Sequence, residues 1–162
     1  MVSCKEQDIT DVRHAMVRAL NSRRAADAIY RELLAVKNKS PLIIAYTGYA
    51  EALKAKHAWN PYYKLKYVKD AERWFAEAVK LRPHQVEIRF LRFSVEYYVP
   101  GLLGYNKHLD EDRAEIIGLL HKRMCARADR ETVLAIIRFM LQSKRCTTAE
   151  NIFLNRQLKL LK

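Results

Sequence analysis

Ala71-Glu72-Arg73-Trp74-Phe75-Ala76-Glu77-Ala78-Val79-Lys80-Leu81-Arg82-Pro83 carries the clearest structural signal in this 162-residue chain. Ala71, Phe75 and Ala78 recur at steps of four and three, which places them on one face of a helix. The two alanines let a second helix approach that face closely, and the ring between them fills the groove. Arg82-Pro83 ends the helix, because a proline disfavours helical backbone in the residue before it. The helix so defined runs from about Leu65 to Leu81.

The same punctuation continues outward in both directions. Upstream, Trp59-Asn60-Pro61 reads as a break after a helix that reaches His57 or Ala58 and opens at Ser40-Pro41. There a capping hydroxyl precedes a proline at the first helical position, where its missing N–H costs nothing. Two earlier helices are expected, one from about Ile9 to Leu20 and one after the cap Ser22. The second carries Ala26, Ile29, Tyr30, Leu33 and Leu34 on one face until Lys37-Asn38-Lys39-Ser40 stops it.

Downstream, a helix from roughly His84 to Tyr98 is apolar on more than one side and should be the most buried. Pro100-Gly101 and Gly104 open a loop, and Asp110-Glu111-Asp112 complement the positive end of a sixth helix, whose last turns hold Lys122 and Arg123. Asp129 and Glu131 open a seventh, and Thr147-x-x-Glu150 is a capping-box pattern that opens an eighth. Alternating β-branched runs are few, so the class is all-α. About eight helices with short connections predict four stacked antiparallel hairpins, an α-α superhelix in a single domain over residues 1–162.

The quoted stretch resembles the second half of a tetratricopeptide repeat. That family's pattern has a small residue, an aromatic four further on, a small residue three after that and proline five later; Ala71, Phe75, Ala78 and Pro83 meet all four. Ala26, Tyr30 and Leu33 repeat the phase in the second helix, with Asn38 where proline would stand, and Gly48 offers a close-packing position in the third. The family's strict period is absent, so the repeats are divergent. The resemblance implies a scaffold that binds a protein or peptide without catalysis.

Composition limits the alternatives. Half the residues are apolar and 30% charged, with only four glycines and four prolines, which suits a packed helical chain and not a disordered one. Cys4, Cys125 and Cys146 are an odd number without paired spacing, which predicts reduced structural thiols and a cytoplasmic location. The polar opening Met1-Val2-Ser3-Cys4-Lys5-Glu6-Gln7-Asp8 predicts no signal peptide, and no later run is long enough to cross a bilayer. The net charge of +12 attracts anionic partners, either an acidic protein or nucleic acid, and its excess is spread evenly along the chain.

Catalytic and cofactor motifs are absent from the sequence. Glycines at 48, 101, 104 and 118 make neither a phosphate-wrapping loop nor a dinucleotide fingerprint, and neither His-Glu-x-x-His nor Cys-x-x-Cys occurs. His121 and Cys125, four apart, should share a face of the sixth helix, but two ligands do not hold a metal; a packed Cys125 and a partly exposed His121 are expected. His14, His57, His84 and His108 are scattered and receive no chemistry. No catalytic residue, metal or cofactor is therefore assigned. An enzyme would need acids or bases converging in a pocket.

Two loops hold the candidate site. Lys54 to Tyr67 interleaves Lys56, Trp59, Asn60, Tyr62, Tyr63, Lys64 and Lys66, rings among cations that can grip an anionic peptide or stack on bases. The second loop, Tyr97 to His108, supplies Tyr105, and Arg89 and Arg92 of the fifth helix could support the same rim. Two outcomes follow: a basic aromatic rim that receives a partner, or rings that fold back to cap the core with solvated lysines. The eighth helix, with Ile152, Phe153, Leu154, Leu158, Leu160 and Leu161, predicts either a homodimer or packing on the sixth and seventh helices.

Overall fold

In the computed structural model the described residues, 4–125 and 128–161, form eight α-helices and one short 3-10 turn, with no strand among them. The all-α class is thus the observed one. Met1 to Ser3 lie outside the described residues, as do the side chains through Asp8, so the expectation for Cys4 falls there too. Among the described residues no helix is long and apolar enough to cross a membrane. The chain divides into two compact units, Met1–Leu81 and Arg82–Lys162.

The first unit holds α1 (Cys4–Ala19), α2 (Arg23–Ala35), α3 (Pro41–His57) and α4 (Pro61–Leu81). The helices α1, α2, α3 and α4 pack in succession, and α1 also reaches α3. Ser22 opens α2 by accepting the Ala25 amide at 3.1 Å, and Ser40 opens α3 by accepting that of Ile43 at 3.3 Å. Both caps satisfy amides that have no partner inside the helix. The carbonyls left bare at the end of α1 are met from α3: Lys56 Nζ donates to Leu20 at 2.7 Å, and His57 Nε2 lies 2.8 Å from the Ala19 oxygen.

The start of α4 departs from the expectation of Leu65. The helix begins at Pro61, and Asn60 is its cap, with Oδ1 accepting the Tyr62 amide at 2.9 Å. Asn60-Pro61 therefore repeats the device of Ser40-Pro41, and the connection shrinks to residues 58–60. Ala71, Phe75 and Ala78 form the buried face, as their spacing requires. Against them lies Gly48 of α3. A Cβ there would come within 2.8 Å of Trp74 Cβ and 3.3 Å of the Ala71 carbonyl oxygen, so the contact admits no side chain.

The second unit holds α5 (Val86–Tyr98), the 3-10 turn Gly101–Leu103, α6 (Leu109–His121), α7 (Arg130–Ser143) and α8 (Thr148–Leu160). Here α5 pairs with α6 and with α7, and α7 pairs with α8. Phe93, Ile116, Ile136, Ile137, Met140 and Leu154 lie at the centre of its core. As expected, α5 is buried on nearly all sides, although it starts at Val86 and not His84. The capping box of α8 closes in both directions, with the Glu150 amide 3.2 Å from Thr147 Oγ1 and the Thr147 amide 2.7 Å from Glu150 Oε2. The helix α6 stops at His121, and Arg123 takes a φ of +54°, so Lys122 and Arg123 follow the helix instead of forming its last turns.

Candidate functional site

Three of the predicted rim residues are rings that stand in solvent. Trp59 is 86% exposed, Tyr62 70% and Tyr63 48%, so the outcome in which they fold back over the core is not the one adopted. The cause is the early start of α4: Tyr62 and Tyr63 sit on its first turn, Tyr62 opposite the face of Ala71 and Phe75 and Tyr63 beside that face. Their edge-to-face contact, with centroids 5.4 Å apart, and the stacking of Tyr63 on Tyr67 at 6.1 Å make one aromatic strip along the helix.

The cations of this edge have different duties. Lys56 is drawn to the α1 terminus and Asn60 is used as the α4 cap. Lys64 is exposed, and Lys66 reaches Asp70 only at 3.9 Å from an exposed position. No acidic residue lies in the first turn of α4, so nothing there offsets the positive end of the helix, and Lys64 and Lys66 add to it. The edge therefore sets exposed rings beside a positive helix end and two exposed lysines.

Arg89, Arg92 and Tyr105 belong to the second unit, and the two arginines are not on a surface. Arg92 donates from Nε to Asp112 Oδ2 and from Nη2 to Oδ1, both at 2.7 Å. Arg89 Nη1 meets Asp112 Oδ1 at 2.9 Å and Glu111 Oε1 at 2.5 Å, while its Nε donates to the Pro83 carbonyl at 2.8 Å. These contacts hold the Glu111 carboxyl below the usual range, the Arg89 hydrogen bond outweighing burial. All three acids stand in the first turn of α6, as expected, and Glu111 with the fully buried Asp112 also neutralises the two arginines in the core. Tyr105 is half-buried.

This pairing could have been read from the sequence. A helix expected to be the most buried cannot carry Arg89 and Arg92 without carboxylates, and Asp110 to Asp112 lie directly across its hairpin. Glu96 repeats the logic, accepting the His108 amide at 2.8 Å and lying 2.6 Å from its Nδ1. The cluster has converging charge, but its members are spent on one another.

The His121 and Cys125 reading changes with the end of α6. Cys125 lies beyond the turn at Arg123, so the two do not share a helical face; His121 stacks on Phe153 with centroids 3.6 Å apart. Burial pushes the Cys125 and Cys146 thiols upward, away from thiolate character. Among the described residues no group of three or more His, Cys, Asp or Glu could hold a metal ion. On α8, Leu154 is buried and Phe153, Leu158 and Leu161 pack on the core, leaving Ile152 and Leu160 exposed.

No protein-family model matches the chain, and no curated protein or solved structure matches it significantly.

Proposed function

We propose that this chain is a tetratricopeptide-like interaction module that binds an acidic peptide or protein segment at the opening of α4. One observation carries the reading: Trp59, Tyr62 and Tyr63 are exposed around a helix start that bears Lys64 and Lys66 and no acidic residue in its first turn. Rigid rings supply contact area at small cost in side-chain entropy, and the lysines select carboxylates. The repeat-like part of the reading draws on the buried face Ala71, Phe75 and Ala78 and on its contact at Gly48. It needs no catalytic group, and unpaired Cys125 and Cys146 suit a cytoplasmic setting.

A peptide array that pairs aspartate and glutamate runs with apolar neighbours tests the proposal. Retention of the full chain at physiological salt is expected, with loss in Lys64→Glu/Lys66→Glu and in Trp59→Ala/Tyr62→Ala. Retention by nucleic acid alone, falling steeply with salt as counterions are released, would replace this reading with a nonspecific polyanion binder.

A further inference from the structure

Beside its buried face α4 carries a second stripe, Tyr63, Tyr67, Asp70, Trp74 and Glu77, at alternating steps of four and three. Its later members line an open pocket of about 310 Å³ within the first unit, together with Tyr30, Glu51 and Arg73. Three of these six are carboxylates.

Glu51 of α3 is the decisive group. It is 2% exposed, and its Oε2 has no hydrogen-bond partner among the described residues. A buried carboxylate oxygen left bare is costly, so such an atom calls for a donor. Its other oxygen meets Lys54 Nζ only at 3.5 Å. That ammonium is shared, pairing with Glu51 while it lies between the rings of Tyr30 and Tyr67 at 3.9 and 4.3 Å from their centroids. Burial, a hydrogen bond to Glu51 and the charge of that carboxylate push the Tyr30 phenol well above its usual pKa, so Tyr30 stays a neutral donor beside the acids.

The remaining carboxylates are also loosely served. Asp70 has Lys66 at 3.9 Å and Arg73 at 3.6 Å, and both cations are more than half exposed. Glu77 is exposed at the pocket's edge. In a chain of net charge +12, a pocket walled by acids selects a positive group against the field of the whole molecule. The face of Trp74 suits an organic cation and its methylene stem.

We propose that this pocket binds the side chain of a lysine or arginine presented by a partner peptide. Glu51 Oε2, Asp70 and Glu77 accept its N–H donors, and the stem lies against Trp74. The site goes beyond the exposed edge at Trp59 and does not depend on it.

Trp59→Phe leaves Trp74 as the single tryptophan of the full chain, so its emission reports on the pocket. Titration with N-acetyl-arginine methylamide and N-acetyl-lysine methylamide should give a saturable change, and N-acetyl-norleucine methylamide none. Glu51→Gln and, separately, Glu77→Gln should each weaken binding about tenfold or more, the loss expected of a charge-assisted hydrogen bond. Glu77 is exposed, so its variant keeps the test decisive if circular dichroism shows that Glu51→Gln fails to fold.

An equal response to norleucine, no saturable response to either cation, or unchanged affinity in folded Glu51→Gln and Glu77→Gln would overturn the proposal. Tighter binding of spermidine than of both amides would overturn the assignment to a side chain. These probes carry no negative charge and leave Lys64 and Lys66 untouched, so their failure leaves the reading of the exposed edge standing.

Discussion

At Gly48 a single methyl group decides how closely α3 and α4 can lie. The added Cβ would meet Trp74 Cβ at 2.8 Å, a backbone-anchored atom that cannot swing away. Overpacking of this kind costs about 1–3 kcal/mol, partly offset by the roughly 1 kcal/mol that alanine gains over glycine in a helix. Gly48→Ala is therefore expected to lower stability by about 1 kcal/mol in urea unfolding; a gain would show that the two helices separate freely. Asp112 sets a larger stake. Asp112→Ala leaves the buried Arg89 and Arg92 with the exposed Glu111 as their carboxylate partner among the described residues, which should cost about 3–5 kcal/mol. A loss below about 1 kcal/mol in the same assay would mean that the arginines escape to water.

At the scale of elements, what the sequence disclosed follows from how local each signal is. Ser22, Ser40, Asp129 and the Thr147–Glu150 box act within one turn, and all four cap the helices they were expected to open. Asn60-Pro61 is equally local, yet Pro61 reads as a break as readily as a first helical residue, and the difference shifted Tyr62, Tyr63 and Lys64 from a loop onto α4. Asn60→Ala should fray that first turn and cost about 1 kcal/mol, read as loss of amide-exchange protection through Lys64. Unchanged protection would show that Pro61 alone starts the helix. Contacts between helices were less legible. The apolar richness of α5 announced burial, but that Arg92 meets Asp112, or that Glu51 and Trp74 share a pocket, depends on which helix faces meet.

At the scale of the whole molecule, charge governs the response to conditions. Burial would raise the Glu150 carboxyl, but the Thr147 amide and the Arg113 guanidinium outweigh it and hold it low, as Arg89 does for Glu111. The unfolded chain protonates these groups near the ordinary glutamate value of about 4.3, the folded chain only at lower pH. Their contribution is thus present above that value and lost as pH falls through the folded pKa values. Thermal unfolding should show a declining midpoint below about pH 5, with a flatter profile in Glu150→Gln; an unchanged midpoint down to pH 3 would contradict the assigned pairs. The same charge, +12 over the whole chain, draws an acidic partner, and the exposed rings at the opening of α4 fix where it docks in the proposed reading. Amide chemical-shift mapping of the full chain with an acidic, aromatic-flanked peptide measures that residue by residue. Shifts should gather on residues 59–67 around the opening of α4; shifts scattered over lysines and arginines along the chain, with those residues unmoved, would show that no such docking edge exists.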